Sequence, residues 1–175
     1  MRFILPLLLV SSSVFAQTNC QDFFALLGER DVSEKVQHFL SDCGPFEETP
    51  INVEDSKTLV NKEKGIQIMF INREPEDSSL PKYEVLSIKL STFTIEGGYK
   101  GELPFGFLAE MDYRLVQAHI MGLEDVYYEK EDLSKESSAF TYTGAKNPKL
   151  QGKKVKVYIS QFDEDTISYL RMRVK

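Results

Sequence analysis

Residues 101–122 read GELPFGFLAEMDYRLVQAHIMG, a turn that leads into a short amphipathic helix ending in glycine. Residues 23–44 read FFALLGERDVSEKVQHFLSDCG and follow much the same plan in the first half of the chain. Each stretch precedes several segments typical of β-strands. The sequence therefore predicts an α+β fold of two pseudo-repeats. In each repeat a short helical element precedes an antiparallel β-meander, and the helices pack on one face of the sheet.

The first predicted repeat covers residues 17–96 and the second covers residues 97–175, joined as one globular unit. The chain has 175 residues and a formal net charge of −6. A nucleic-acid partner is disfavoured, because binding phosphates needs a concentrated basic footprint. One local basic cluster is either a solvated loop or a patch that steers an acidic partner. Its members are Lys146, Lys149, Lys153, Lys154 and Lys156.

The first sixteen residues have the pattern of a secretory signal peptide. Met1-Arg2 is the positive start, an apolar run follows, and small residues lead to a cleavage site after Ala16. The alternative is a membrane anchor, but a span needs roughly twenty apolar residues and this run is much shorter. We therefore expect a periplasmic or secreted protein without stable membrane insertion.

Cys20 and Cys43 are the only cysteines, and they flank a predicted helical hairpin with helices at residues 21–27 and 32–41. If residues 28–30 turn the chain back, the helices run antiparallel and the two cysteines meet. Export permits a disulfide between them, with two free thiols or intermolecular pairing as the alternatives. Two cysteines and two distant histidines do not supply the four converging ligands of a structural zinc site, so we predict no metal and no cofactor.

Capping signals mark the longer predicted helices. Asp31 is a natural N-cap with Glu34 three residues on, and Gly44-Pro45 ends that helix. The other helix runs from about residue 111 to 121, with Asp112 near its start and Gly122 as its stop. Helical spacing predicts two buried stripes: Val32, Val36, Phe39 and Leu40 on the first helix, and Leu115, Val116, His119 and Ile120 on the second.

Seven β-rich segments follow the helices. The predicted strands are residues 58–60, 65–71 and 82–90 in the first half, and residues 126–128, 140–142, 155–159 and 167–174 in the second. Because side chains alternate along a strand, one side of the sheet faces the helices. That side should carry Ile66, Ile68, Phe70, Leu86, Ile88, Leu90, Val155, Val157, Ile159, Leu170, Met172 and Val174.

The opposite side of the sheet is the candidate binding surface. Alternation places on it Gln67, Met69, Ile71, Tyr83, Val85, Lys89, Lys156, Tyr158, Tyr169, Arg171 and Arg173. Tyrosine, methionine and arginine are enriched in protein interfaces. The candidate protein-binding residues are Met69, Ile71, Tyr83, Val85, Tyr158, Tyr169, Arg171 and Arg173. The alternative is that the loop at residues 130–150, or ordinary cross-strand packing, covers this side.

The doubled plan resembles the tandem arrangement of the β-lactamase-inhibitor-protein family, and its single unit is similar to the SmpA/OmlA (BamE-like) envelope lipoproteins. Residues 106–122 carry most of the likeness, and residues 36–44 are the weaker counterpart. Where the single-unit proteins tend to place a proline after the helix-ending glycine, this chain has Leu123-Glu124. The resemblance implies export, protein binding, and inhibition or scaffolding without catalysis.

Other residues with chemical potential point less clearly to a site. His38 and His119 lie beside apolar residues on predicted helices, which is typical of packed histidines rather than general bases. Residues 97–101, GGYKG, lack the spacing of a phosphate loop and suggest a linker. Residues 163–165, DED, could touch calcium but are usually only a turn. Acidic loops around residues 47–55 and 124–132 keep the protein soluble or steer a basic toxin or enzyme.

The sequence therefore predicts a non-enzymatic, exported protein-binding inhibitor. Its partner would be another protein, a secreted toxin or enzyme, and its mechanism would be occlusion by the sheet side opposite the helices. The first alternative is an envelope assembly or scaffold factor that uses the same surface. The second is a small secreted hydrolase.

Overall fold

The computed structural model describes residues 20–49, 55–73, 82–127, 137–162 and 166–175. Within these ranges the chain forms three α-helices and one eight-stranded sheet. The helices are α1 (Phe23–Leu26), α2 (Glu34–Cys43) and α3 (Tyr113–Gly122). The strands are β1 (Glu47–Thr49), β2 (Ser56–Asn61), β3 (Ile66–Asn72), β4 (Tyr83–Ser91), β5 (Val126–Tyr127), β6 (Ser137–Tyr142), β7 (Val155–Phe162) and β8 (Thr166–Val174).

The strands lie in the order β1-β2-β3-β4-β8-β7-β6-β5, and every neighbouring pair is antiparallel. Strands β1 to β4 form one meander, strands β5 to β8 form a second, and the two meet where β4 pairs with β8. The predicted α+β class with an antiparallel sheet is confirmed. Strand β1 was not predicted, because Glu47 and Glu48 read as an acidic loop.

Helix α2 begins later than its predicted N-cap. Ser33 caps the helix, with its hydroxyl 3.4 Å from the Val36 amide. Asp31 instead pairs with Lys57 at 2.6 Å, which ties the preceding turn to β2. The predicted stripe is right for Val36 and Phe39, which are buried, but wrong for Val32, which is exposed because it precedes the helix.

Helix α3 forms close to its predicted bounds. The Asp112 carboxylate accepts a hydrogen bond of 2.8 Å from the Leu115 amide and caps the helix. Val116 and Ile120 are buried in the core, whereas Leu115 is exposed, so that part of the predicted stripe is wrong. Gly122 is the last helical residue rather than the residue after the end.

The predicted disulfide is present between Cys20 and Cys43, whose Cα atoms lie 5.9 Å apart. Around it, Phe23 of α1 makes edge contacts with Phe39 of α2 and with Tyr99, at ring-centroid distances of 5.8 and 5.7 Å. The Tyr99 hydroxyl donates to the Cys20 carbonyl at 3.2 Å. The bridge closes the helical hairpin, and Tyr99 joins the hairpin to the second half of the chain.

One buried core contains residues from the helices and from one side of the sheet, including Ile68, Phe70, Ile88, Leu170 and Met172. Alternation correctly predicted most of the strand residues in it, because regular antiparallel strands keep a period of two. The exception lies in β4. There a β-bulge changes the register between Met69 and Phe70, and β4 gains one residue relative to β3.

The bulge affects three predicted positions. Val85 is opposite Phe70, is 1% exposed and belongs to the core, although alternation placed it on the binding side. Tyr83 likewise packs partly buried against the core. Leu86, predicted in the core, is buried at 8% exposure, but it has no partner in β3 and lies outside the core cluster.

Several predictions concern residues outside the described ranges. These are the signal peptide at 1–16, the possible calcium turn at 163–165, most of the acidic residues between 128 and 136, and the first part of the covering loop at 130–150.

Candidate protein-binding face

The side of the sheet turned away from the core carries a group of polar, aromatic and cationic side chains on its central strands. We call this group the open face. Its members are Met69 on β3, Ser87 and Lys89 on β4, Tyr169, Arg171 and Arg173 on β8, and Lys156 and Tyr158 on β7. All of them except Ser87 and Arg173 are half-buried; Ser87 is buried and Arg173 is exposed. The β4–β8 junction between the two meanders therefore lies at the centre of the open face.

The register places like charges directly opposite each other. Lys89 of β4 is opposite Arg171 of β8, and Arg173 of β8 is opposite Lys156 of β7. Directly opposed side chains on antiparallel strands lie about 5 Å apart at Cβ, and like charges there destabilise a sheet. Two such pairs on adjacent strands give the open face a concentrated positive charge in a protein whose net charge is −6.

Aromatic rings and a methionine hold some of these cations in place. The Lys89 ammonium lies 4.2 Å from the ring centroid of Tyr169, and the Lys156 ammonium lies 5.1 Å from that of Tyr158. Arg171 reaches across β4 to the Met69 sulfur at 4.0 Å and the Ser87 hydroxyl at 3.5 Å. These cation–π and polar contacts orient the charged groups.

Three cations of the open face lack a compensating carboxylate within the described part of the chain. Lys89, Arg171 and Arg173 have no carboxylate there within ion-pair distance. Burial and then repulsion from Arg171 lower the pKa of Lys89 below its ordinary value. The local environment therefore disfavours the charge that Lys89 carries at neutral pH.

A short apolar tip adjoins the open face. It follows Ser91, the last residue of β4, and exposes Phe93 (80%) and Ile95 (fully). Thr94 and Gly97 close the turn by exchanging two backbone hydrogen bonds of 3.3 Å. Large exposed apolar side chains on an ordered turn are candidate contacts for another protein.

The tip is tied to the hairpin between β2 and β3. The Thr94 hydroxyl donates to the Lys62 carbonyl at 2.7 Å, and the Gly98 amide donates to the Glu63 carbonyl at 2.9 Å. Gly97 has a positive φ of 154°, and a Cβ there would lie 2.5 Å from the Glu63 carbonyl oxygen. The glycines therefore permit close backbone packing, where the sequence had suggested a loose linker.

The structure brings most of the predicted binding residues together. Met69, Tyr158, Tyr169, Arg171 and Arg173 lie on the open face, and Ile71 lies on the same side near the end of β3. Tyr83 and Val85 belong to the core side because of the bulge. Sequence reasoning placed Lys89 and Lys156 on this side but did not find their like-charge pairing, because it did not include cross-strand register.

The basic cluster predicted between residues 146 and 156 has a largely internal role. Lys146 pairs with Glu124 at 3.2 Å and Lys149 with Asp22 at 2.9 Å. Lys153 donates to the Leu27 carbonyl beyond the end of α1, at 3.3 Å. Lys149 and Lys153 therefore join this segment, predicted as either a solvated loop or a steering patch, to the two ends of α1. Lys156 belongs instead to the open face.

The histidines have simple surroundings. His38 is exposed on α2, 3.9 Å from the Glu34 carboxylate. The Nε2 atom of His119 lies 2.7 Å from the Phe105 carbonyl oxygen, and its ring packs edge-on against Phe107.

A nearby groove of about 580 Å³ is lined mainly by apolar side chains and backbone from α1 and the segment 102–108.

No family model, curated protein or solved structure matches the chain significantly. Among the described residues, no helix has the length and apolar character needed to cross a membrane. No cluster of histidine, cysteine, aspartate and glutamate suited to holding a metal ion occurs in those same residues.

Proposed function

We propose that this protein is an exported, immunity-type inhibitor that occludes a secreted toxin or enzyme with the open face of its sheet. One observation carries the proposal. The central strands present Met69, Tyr158, Tyr169 and Arg171 half-exposed and grouped on one side. An ordinary solvated sheet face would carry threonine, serine, lysine and glutamate, whereas tyrosine, methionine and arginine are typical of interface hot spots.

The rigidity of the surface supports occlusion as the mechanism. Strands β4 and β8 each have hydrogen-bonded neighbours on both sides, so the centre of the open face lies in the interior of the sheet. A preformed surface loses little conformational entropy when it binds, which favours tight complexes. Phe93 and Ile95 on the apolar tip, exposed just beyond the end of β4, offer further apolar contacts.

The doubled plan is part of the proposal. Two four-stranded meanders, each preceded by helical elements, agree with two pseudo-repeats at residues 17–96 and 97–175. They also agree with the resemblance to the β-lactamase-inhibitor-protein family. The disulfide supports export, since such bonds persist in oxidising compartments.

Affinity capture followed by a stoichiometry measurement tests the proposal. The disulfide-bonded protein is immobilised and offered secreted and envelope proteins, next to a Tyr158→Ala/Tyr169→Ala variant. A variant with Arg114→Ala, an exposed residue on α3, serves as the control. We expect one partner that forms a one-to-one complex with the wild type and the control but not with the double variant.

Inhibition separates this function from its alternatives. The captured partner should lose its activity in the complex. A partner that is an outer-membrane component without any activity to inhibit would favour the assembly-factor alternative. If the Tyr158→Ala/Tyr169→Ala variant stays folded and still forms the complex, the open face is not the binding surface.

A further inference from the structure

The cross-strand register of the open face is unfavourable for the isolated protein. Lys89 opposite Arg171 and Arg173 opposite Lys156 are two like-charge pairs on three consecutive strands, β4, β8 and β7. In either pair, changing one residue to glutamate would replace the electrostatic repulsion between the two side chains with attraction. Among the described residues no carboxylate lies within ion-pair distance of Lys89, Arg171 or Arg173, and a local rule broken without such compensation marks a candidate functional site.

We propose that the open face recognises an acidic patch on its partner protein, and that carboxylates of that patch lie against Lys89, Arg171 and Arg173. This inference rests on the proposed function and names the chemistry of the partner. Arg171 is the best-placed anchor, because its guanidinium is already oriented by Met69 and Ser87 at the centre of the face. A guanidinium with free donors binds a carboxylate through two parallel hydrogen bonds.

From the sequence, the acidic loops could either keep the protein soluble or steer a basic toxin or enzyme. The surface at the centre of the sheet has the opposite charge. Charge complementarity therefore favours an acidic partner at this site. The basic cluster near residues 146–153 does not provide an equivalent surface, since Lys146 and Lys149 are paired with carboxylates of the same chain.

An acidic protein fits this surface better than an extended polyanion does. The open face offers few cations, whereas nucleic-acid binding relies on many phosphate contacts spread over a large basic area. The remaining surface belongs to a chain of net charge −6, which repels a long polyanion beyond the immediate patch. Tyr158 and Tyr169 beside the cations provide the apolar area that a protein interface needs.

The state of Lys89 agrees with this assignment. Burial and the neighbouring Arg171 lower its pKa in the free protein. A carboxylate placed beside it would favour the charged ammonium and raise the pKa again. Binding of an acidic partner would thus relieve an electrostatic cost that the free fold carries.

A peptide titration tests the charge assignment without knowledge of the natural partner. A short poly-L-glutamate peptide is added to the full disulfide-bonded protein at low salt, and binding is followed by calorimetry and by amide NMR shifts. We expect saturable binding with shifts concentrated on β4, β7 and β8. The binding should be lost near 1 M salt, where the Debye length is about 3 Å.

Matched variants assign the binding to the open face. Arg171→Met/Arg173→Met should weaken binding of the peptide by about tenfold or more. Lys100→Met/Arg114→Met removes the same charge from exposed positions outside the sheet and should change the affinity little. Equal effects of the two double variants would overturn the inference. So would stronger binding of heparin, DNA or anionic vesicles than of poly-L-glutamate, or no binding of the peptide.

The two proposals can fail separately. If the captured protein partner binds through Tyr158 and Tyr169 but tolerates high salt and the Arg171→Met/Arg173→Met variant, the acidic-partner inference is wrong and the proposed function stands. If poly-L-glutamate binds as expected but no one-to-one protein complex with inhibition can be formed, the proposed function is wrong.

Discussion

Replacing Arg173 by glutamate should stabilise the free protein. Arg173 is exposed and lies directly opposite Lys156, so the change turns a like-charge cross-strand pair into an opposite-charge pair. An opposite-charge pair contributes about 0.2–1 kcal/mol, and we take the cost of a like-charge pair to be of similar size. The free energy of unfolding should therefore rise by about 0.4–2 kcal/mol, the sum of the repulsion removed and the attraction gained.

Urea unfolding followed by circular dichroism measures this change, with thermal unfolding as a second assay. For a chain of this size, 1 kcal/mol corresponds to a shift in Tm of about 2–4 °C, so the expected increase is about 1–8 °C. The gain should shrink at high salt, because Arg173 is solvent-exposed and salt screens such pairs.

Two controls make the result specific. Lys100→Glu changes the net charge equally at an exposed position outside the sheet and should leave stability nearly unchanged. In a Lys156→Met background, Arg173→Glu should lose most of its gain, because the opposing cation is gone. An Arg173→Glu protein less stable than the wild type, or a gain equal to that of Lys100→Glu, would refute the idea that the open face carries an electrostatic cost.

Three further predictions concern the fold. The Cys20–Cys43 bridge has a sequence separation of 23, so its reduction should lower the free energy of unfolding by about 3.4 kcal/mol on the chain-entropy relation. Equal urea midpoints with and without reductant would contradict this. Val85→Ala should cost about 2 kcal/mol and Ile71→Ala less than half of that, since only Val85 is in the core; comparable losses in urea unfolding would argue against the bulge. Burial raises the pKa of Tyr99 to about 12, against about 10 in an unfolded chain, so the free energy of unfolding should fall as pH rises from about 10 to 12. Tyr99→Phe should reduce that fall, and an unchanged fall would mean that another group causes it.

Local signals predicted the elements that depend on nearby residues. Asp112 and the periodic Val116 and Ile120 were sufficient for α3, because capping and helical period act within a few residues. The disulfide followed from the position of Cys20 and Cys43 at the two ends of a helical hairpin. Alternation predicted the core side of β3, β7 and most of β8.

The same local signals could not predict the register between strands. The bulge in β4 arises in its pairing with β3, and one extra residue moved Val85 and Tyr83 to the core side. Helix α2 begins at Glu34 rather than Val32, because Ser33 caps it while the Asp31 carboxylate pairs with Lys57 on β2. The residue types of the open face could thus be predicted from the sequence. Its like-charge pairs could not, because they depend on which strands are neighbours and on their register.

Lysine footprinting of the complex tests the central claim most directly. The disulfide-bonded protein, alone and in complex with the captured partner, is treated with an acetylating reagent and each lysine is quantified by mass spectrometry. Binding through the open face predicts strong protection of Lys89 and Lys156 and little change at Lys35 on α2 and at Lys100. Protection of Lys35 or Lys100 with Lys89 and Lys156 still reactive would contradict the account.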